Sequence, residues 1–241
     1  MQPARIAELL APFLSANPNS RHSESTRMLG EESAVLSSAQ FGSISTYIDI
    51  LLHWNARINL TAIRDPEEIV TRHFGESFFA ARHLFPTTPH VETVPLGSQA
   101  EPSFALRVVD VGSGAGFPGI PIKLWAPHIA LTLVESNYKK STFLREVARA
   151  LTLTDIDILN ARAEAVTQTF NVVTLRAVER FADILPVATG LLASGARLAL
   201  LIGSSQVDEA CANANLSWRD PLPVPQSKSR VLLIGKLEPR R

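Results

Sequence analysis

The feature that most constrains this chain is a glycine-rich turn that directly follows an apolar run. Residues 108–111 read Val-Val-Asp-Val, and Gly112, Gly114 and Gly116 follow at alternate positions. Glycine lacks a Cβ, so the backbone can turn sharply here and a ligand can approach it closely. A dinucleotide fingerprint would place its third glycine at position 117, where this chain has Phe117, and a phosphate-binding loop would contain a lysine. The pattern favours a nucleoside with a polar, weakly charged tail, and S-adenosylmethionine fits best.

The charge balance limits the partners that the whole surface can attract. The chain has 241 residues with 23 basic and 23 acidic side chains, so its formal net charge is zero. Binding of nucleic acid through an overall positive charge is therefore excluded, although a local basic patch is not. The single cysteine, Cys211, rules out a zinc site made of several cysteines, and we expect no bound metal.

The N-terminal segment shows no sign of export. Arg5 and Glu8 interrupt its apolar residues, so it lacks the apolar core of a signal peptide. No stretch reaches the ~20 uncharged apolar residues that a membrane helix needs. We expect a cytoplasmic protein that is a monomer and has no membrane partner.

Three regions follow one another along the chain. Residues 1–85 carry apolar side chains at helical spacing, with a long segment over 38–59 and a later helix that Asp65 would cap and Pro66 would begin. Residues 86–104 contain four prolines, which predicts a linker. Residues 105–241 then alternate between strand and helix patterns, so we place a domain boundary in the linker.

The third region predicts an α/β fold. Its strand candidates are apolar nearly throughout, as is typical of parallel strands buried on both faces. These candidates are 106–111, 130–135, 156–159, 171–175, 197–202 and 231–236, and helical stretches lie between them at about 118–126, 137–151, 179–193 and 205–214. Repeated β-α units predict a Rossmann-like, doubly wound and mostly parallel sheet. The last strand follows a proline-rich segment without a helix, so we expect it to pair antiparallel.

The ends of the predicted strands carry the candidate binding residues, because ligands of such sheets lie outside the carboxyl ends of the strands. The second strand ends in Glu135, where a carboxylate that accepts hydrogen bonds from both ribose hydroxyls is expected. Ser136 and Asn137 either flank the adenosine or cap the next helix.

The next two strands add candidates at the same edge. After the third strand, Ala163 would let an adenine lie flat against the backbone. Glu164 either accepts a hydrogen bond from the exocyclic amine of that adenine or is an acid on a surface loop. The fourth strand ends in Arg176, whose guanidinium suits the methionine carboxylate, a nucleic-acid phosphate or a structural ion pair.

The glycine turn continues as Gly-Phe-Pro-Gly-Ile-Pro over 116–121, and this continuation resembles the ribosomal small-subunit methyltransferase G family, also called glucose-inhibited division protein B. The resemblance covers about 38–238, and its further motifs are Trp54-Asn55, Asn59-Leu60-Thr61, Arg72-His73, Lys139-Lys140, Arg162-Ala163-Glu164 and Arg230-Val-Leu-Leu-Ile. It implies a Rossmann-like fold and S-adenosylmethionine-dependent methylation of N7 of one guanine in 16S rRNA, as free rRNA or in the small ribosomal subunit. It also implies cofactor contacts at Gly112, Phe117, Ala163, Glu164 and Arg176.

Methyl transfer to N7 removes no proton, since this nitrogen carries an in-plane lone pair. The enzyme must mainly align the reacting atoms and exclude water, so we predict no general base. The candidates on the substrate side are Asn59, Arg64, His73 and Arg176, with helix packing an equal explanation for His73. The helical region also offers a candidate RNA-docking surface made of Arg57, Arg64, Arg72 and Arg82.

Other functions stay open at this point. Ile202 stands where the family usually has the lysine of a Leu-Lys-Gly sequence at the end of the fifth strand. This departure and the neutral charge slightly favour a methyltransferase of the same fold that acts on a small molecule or a protein, whereas the Asn59-Leu60-Thr61 match speaks against it. A cofactor-binding protein whose transfer activity has decayed is supported by Ile202 alone. A nicotinamide-dependent oxidoreductase is disfavoured by Phe117.

Overall fold

A computed structural model describes residues 1–15, 36–86, 106–176, 181–212 and 215–238 of the chain. Most of the predicted linker, residues 87–104, lies outside the described residues. Described helices are α1 (Pro3–Leu14), α2 (Ser38–Asn55), α3 (Pro66–Ile69), α4 (Glu76–Leu84), α5 (Gly119–Trp125), α6 (Tyr138–Ala150), α7 (Phe181–Gly190) and α8 (Val207–Cys211). The described strands are β1 (Arg107–Val111), β2 (Ala130–Val134), β3 (Ile156–Leu159), β4 (Phe170–Arg176), β5 (Leu192–Gly203), β6 (Leu216–Trp218), β7 (Leu222–Pro223) and β8 (Arg230–Leu237).

The strands form one mixed sheet in the order β3-β2-β1-β4-β5-β8-β6, with β7 paired to β8. β1 to β5 run parallel, and β8 runs antiparallel to β5, β6 and β7. The predicted α/β architecture and the antiparallel last strand are therefore confirmed. The short strands β6 and β7 are not predicted, because two or three residues carry too little periodicity.

The strand order reverses between β1 and β4, and this is where ligands of open α/β sheets bind. The glycine loop (residues 112–116) leaves the carboxyl end of β1, and Arg176 ends β4 beside it. The register aligns Val111 with Leu175 across this junction. The fold thus brings the two predicted site features to the same edge.

One long helical stretch changes its winding in the middle. Asp65 caps α3 by accepting a hydrogen bond from the backbone N–H of Glu68 at 2.8 Å, as predicted. A π-helical segment over Val70–Gly75 then separates α3 from α4. Such wide turns are rare and often lie at functional sites. Here the segment carries Arg72 and His73, and it re-aims both side chains relative to a regular helix.

The helical region and the sheet share one apolar core. Phe13 of α1, Tyr47 of α2 and Phe78 of α4 are buried in the same cluster as Leu131 of the sheet. Trp125 donates its indole N–H to the carbonyl oxygen of Phe85 at 2.9 Å. The helices therefore pack directly on one face of the sheet.

A second cluster fills the opposite face, between the sheet and the later helices. None of the helices in the described ranges is long and apolar enough to cross a membrane.

Candidate functional site

Two adjoining cavities lie at the carboxyl edge of the sheet. The smaller has a volume of about 250 Å³ and the larger of about 570 Å³. Gly112 and Glu135 line both, so the cavities meet at the glycine loop. The smaller cavity is also lined by Ser136, Ala163, Glu164 and Ile184, and the larger by Thr61, Arg72, His73, Gly114, Phe117, Lys140, Arg176 and Arg230.

The glycine loop begins with a backbone conformation that suits glycine. Gly112 has a φ of 69°, and a residue with a Cβ would lose about 1–2 kcal/mol in this left-handed region. Its N–H and that of Ser113 both donate to the carbonyl oxygen of Val134, at 2.9 and 3.0 Å. The loop is therefore tied to the end of β2, and its backbone faces both cavities.

Glu135 holds the loop from the other side. One carboxylate oxygen accepts a hydrogen bond from the N–H of Gly114 at 2.9 Å, and the other accepts from the N–H of Asn137 at 2.7 Å. Only 7% of the residue is exposed. A carboxylate oxygen accepts more than one hydrogen bond. Glu135 can thus support the loop and still receive the hydroxyls of a ligand in either cavity.

Asp110 lies beneath the loop and supports its shape. Its carboxylate accepts hydrogen bonds from the hydroxyl of Thr174 at 2.8 Å and from the N–H of Gly119 at 3.3 Å. Burial raises the pKa of this carboxyl to about 6. Because Asp110 joins β1, β4 and the start of α5 and lines neither cavity, its role is to position the loop.

Phe117 is the centre of an aromatic stack that joins the loop to the helical region. Its ring stacks on Tyr47 at a centroid distance of 5.3 Å and on His73 at 4.8 Å, and Phe74 meets it edge-on at 5.0 Å. The hydroxyl of Tyr47 donates to the carbonyl oxygen of Ala115. The helices thus fix the floor of the larger cavity.

Both ring nitrogens of His73 are engaged. Nδ1 lies 3.1 Å from the guanidinium of Arg176, and Nε2 lies 2.8 Å from the hydroxyl of Thr61. A guanidinium can only donate, so Nδ1 is the acceptor and the proton belongs on Nε2. Burial, assisted by the nearby arginines, lowers the pKa of His73 to about 3. The imidazole is therefore neutral at physiological pH.

An arginine cluster, Arg72, Arg176 and Arg230, surrounds the buried carboxylate of Glu76. One oxygen of Glu76 lies 3.0 Å from both Arg176 and Arg230, and the other lies 3.6 Å from Arg72. Only 8% of the Arg176 side chain is exposed, and its guanidinium also donates to the carbonyl oxygen of Arg72 at 2.6 Å. Three cations with one anion leave an excess of positive charge beside the larger cavity, which suits an anionic group.

The remaining predicted cofactor residues are divided between ligand-facing and supporting positions. Ser136, Ala163 and Glu164 line the smaller cavity. The side chain of Asn137 instead caps α6, accepting hydrogen bonds from the backbone N–H groups of Lys139 and Lys140. Gly116 lines neither cavity, and a Cβ there would collide with the hydroxyl of Tyr47.

Two of the predicted substrate-side residues, Asn59 and Arg64, line neither of the two cavities. The predicted helix over 38–59 ends at Asn55, whose buried amide oxygen accepts from the N–H groups of Leu60 and Thr61 at 2.9 and 3.0 Å. Asn59 is therefore exposed on the following loop, as is Arg64. The other two candidates, His73 and Arg176, line the larger cavity.

Ile202, the departure from the family pattern, is a core residue. It is 4% exposed and packs in the second apolar cluster. Arg230 begins the neighbouring strand opposite Gly203 and reaches the larger cavity. Arg230 thus supplies a cation at the carboxyl edge of the sheet, although position 202 has no lysine.

Three residues of the site, Thr61, Glu76 and Arg230, are missing from the sequence-based candidates. Thr61 and Arg230 belong to the sequence motifs of the family resemblance, and those motifs are the signal that could have identified them. Glu76 had none, because its role depends on Arg176, which is 100 positions away in the chain.

The sheet order, the glycine loop at the switch point and the carboxylate at the end of β2 define the class of nucleoside-binding α/β methyltransferases. The structure resembles that of a ribosomal protein L11 methylase from Lactobacillus delbrueckii subsp. bulgaricus, with a TM-score of 0.53, 15% identity, and coverage of 69% of this chain and 79% of that one. The likeness supports the fold.

Sequence comparison identifies the family. Residues 40–221 match the model of GidB, rRNA small subunit methyltransferase G. A relative named Ribosomal RNA small subunit methyltransferase G from Chloroflexus aggregans is 35% identical over 83% of this chain and 82% of its own length. Its namesake from Xylella fastidiosa is 38% identical, with coverage of 68% and 69%.

The chain belongs to the rRNA small subunit methyltransferase G family. The predicted family, the enzyme class and the methyl donor S-adenosylmethionine are confirmed by this membership.

Proposed function

We propose that this protein transfers a methyl group from S-adenosylmethionine to N7 of a guanine in 16S rRNA. The observation that carries the proposal is the pair of cavities that meet at Gly112 and Glu135. One cavity offers a site for a nucleoside and the other a cationic site for RNA, and the glycine loop lies between them.

The residues of the smaller cavity fit an adenosine. Glu135 has free acceptor capacity for the ribose, and Ala163 presents a small side chain beside the backbone of a 3₁₀ turn. At Gly114, a Cβ would meet only one atom within 4 Å, the carbonyl oxygen of Gly112, so the loop leaves open space for the methionine part. When bound, the cofactor supplies an electrophilic methyl group on a sulfonium.

The larger cavity favours a nucleophile that needs no proton removed. Among the described residues that line it, the ionisable side chains are cations, Glu135 and the neutral His73. Glu135 is held by two backbone N–H groups, and both nitrogens of His73 are occupied. None of these is placed as a general base. N7 of guanine fits this arrangement, since its lone pair is available without deprotonation.

The cations suit the RNA backbone. Arg72 is about half exposed, with 48% of its side chain accessible, and it lines the larger cavity, as Lys140 does. Arginine and lysine contacts to phosphate supply affinity and orientation, while contacts to the base supply specificity. We propose that the exposed Arg57 and Arg64 extend this surface along the helical region. Arg82 does not extend it, because its guanidinium is partly buried and donates to the carbonyl oxygens of Leu14 and Ser15 at the end of α1.

We also propose the division of the chain into residues 1–85, 86–104 and 105–241, and a monomer in the cytoplasm. The described residues hold no group of three or more potential metal ligands. The proposed transfer needs no metal, because the sulfonium is already an activated electrophile.

The test is methyl transfer from labelled S-adenosylmethionine to unmethylated small-subunit rRNA, both free and within the particle. Gly112→Val should abolish donor binding and transfer through backbone strain at the loop. Gly195→Val is the matched control, since Gly195 has a similar φ of 72° outside both cavities. Donor binding by the wild type without transfer to either RNA would overturn the proposal.

A further inference from the structure

The hydroxyl of Thr61 borders the larger cavity, and its hydrogen-bond direction follows from its neighbours. Thr61 follows α2 and lines the cavity together with the glycine loop. Asn55 holds its backbone on both sides, because the amide group accepts from the N–H of Thr61 at 3.0 Å and donates to its carbonyl oxygen at 2.9 Å. The side chain is therefore presented by a fixed backbone.

Two donors occupy the oxygen of this hydroxyl. The N–H of Ile63 donates to it at 3.1 Å. Nε2 of His73 lies 2.8 Å away and carries the ring proton, because Nδ1 faces the donor-only guanidinium of Arg176 at 3.1 Å. A hydroxyl oxygen has two acceptor lone pairs, and both are used here.

The hydroxyl hydrogen is consequently left as a donor. It has no acceptor among the residues that the structure describes, and the side chain borders the cavity. The hydrogen bonds from Arg176 to His73 and from His73 to Thr61 thus leave the Thr61 hydroxyl as a neutral donor at the wall of the cavity that the glycine loop also lines.

We propose that the Thr61 hydroxyl donates a hydrogen bond to O6 of the target guanine and thereby selects guanine over adenine. This assignment rests on the proposed function. Guanine presents N7 and O6 as adjacent acceptors, whereas adenine has an amino donor in place of O6. A donor directed at position 6 therefore attracts guanine and opposes adenine. Thr61 binds the substrate base and orients N7; it does not activate the lone pair.

The chemical step balances without a base. The bond from N7 to the methyl carbon forms as the carbon–sulfur bond breaks, and sulfur keeps the electron pair. The positive charge passes from sulfur to the guanine ring, and no proton leaves. Thr61 needs only to keep its hydrogen bond to O6 throughout the transfer.

The experiment combines a protein variant with a base analogue. A small-subunit rRNA assembled by ligation carries guanosine, inosine or 2-aminopurine riboside at the target position. Inosine keeps O6 and N7, and 2-aminopurine keeps N7 but lacks O6. Single-turnover methylation is measured with wild type, Thr61→Val and Thr61→Ser, together with the Kd for S-adenosylmethionine.

We expect the change from guanosine to 2-aminopurine riboside to lower the single-turnover rate of the wild type about five- to ten-fold more than that of Thr61→Val. This factor corresponds to the loss of a typical neutral hydrogen bond. Thr61→Ser should behave like the wild type, and inosine like guanosine. A valine that acted only by disturbing His73 would slow all substrates equally, because that disturbance does not depend on the base.

Two results would overturn this assignment while the proposed function stands. One is equal slowing of the wild type and Thr61→Val by loss of O6. The other is a large rise in the Kd for S-adenosylmethionine in Thr61→Val, which would assign the hydroxyl to the cofactor. A wild type that fails to methylate the guanosine RNA would overturn the proposed function and this assignment with it.

Discussion

Replacement of Gly116 by alanine tests how the helical region supports the glycine loop. Gly116 has a φ of 84°, and its added Cβ would lie 2.8 Å from Ile120 Cδ1 and would overlap the hydroxyl of Tyr47. The left-handed backbone costs alanine about 1–2 kcal/mol and overpacking costs about 1–3 kcal/mol, so the free energy of unfolding should fall by about 2–5 kcal/mol.

Two other glycines separate these contributions. Gly195 has a similar φ of 72°, and an added Cβ would have no atom within 4 Å. The free energy of unfolding of Gly195→Ala should therefore fall by only about 1–2 kcal/mol. Gly42→Ala, inside α2 and equally open, should gain about 0.5–1 kcal/mol. Urea unfolding followed by circular dichroism gives each value.

The double variant Tyr47→Phe/Gly116→Ala identifies the neighbour. Tyr47→Phe alone removes the hydrogen bond to Ala115 and should cost about 1–3 kcal/mol. In the double variant the overlap with the hydroxyl is also gone. The free energy of unfolding should therefore fall by less than the sum of the two single-variant losses. If Gly116→Ala were no more destabilised than Gly195→Ala, the packing of α2 on the loop would not be the constraint described above.

Three further predictions concern ionisable residues in or beside the larger cavity. Burial lowers the pKa of His73 to about 3 in the folded protein, so as the pH falls the imidazole of the unfolded chain is protonated first, near pH 6.5. The free energy of unfolding should therefore fall by about 1.4 kcal/mol per pH unit between about pH 6.5 and pH 3. The difference between wild-type and His73→Asn unfolding curves measures this, and a flat difference would contradict it. Glu76→Gln should cost about 3–5 kcal/mol in urea unfolding because it leaves buried arginines unpaired, whereas Glu68→Gln, in an ion pair half exposed to solvent, should cost less than about 1 kcal/mol; equal losses would refute the role of burial. Arg72→Gln should lower the salt dependence of RNA binding by about one phosphate contact, and Arg107→Gln, at the opposite edge of the sheet, should leave it unchanged.

The sheet and its binding edge could be predicted because their signals are local. Each buried strand is a short apolar run, and the residue after it necessarily lies at the carboxyl edge. The sequence therefore predicts that Glu135, Ala163 and Arg176 lie at one edge of the sheet. The same reasoning could not tell that Asn137 caps α6 rather than faces a ligand, because both roles favour the same residue at the same position.

The part of the site contributed by the helices could not be predicted, because its contacts join distant segments. The π-helical turn at 70–75 shifts Arg72 and His73 by a fraction of a turn, and apolar periodicity does not reveal such a shift. The helix α2 ends at Asn55 and not at Asn59 as predicted, so Asn55 is buried and Asn59 is exposed. The sequence does not distinguish the two asparagines, because both shortly precede Thr61. The cluster around Glu76 depends on three segments that meet only in the folded chain.

The chemical identity of the methylated nucleoside shows whether the protein transfers the methyl group to N7 of guanine. Small-subunit rRNA that lacks the modification is incubated with the protein and labelled S-adenosylmethionine, digested to nucleosides and analysed by mass spectrometry. We predict a single labelled product, 7-methylguanosine, at one position, because none of the described residues that line the larger cavity is placed as a general base and N7 needs none. A product methylated on an exocyclic amine or a ribose hydroxyl, each of which must lose a proton, would contradict it.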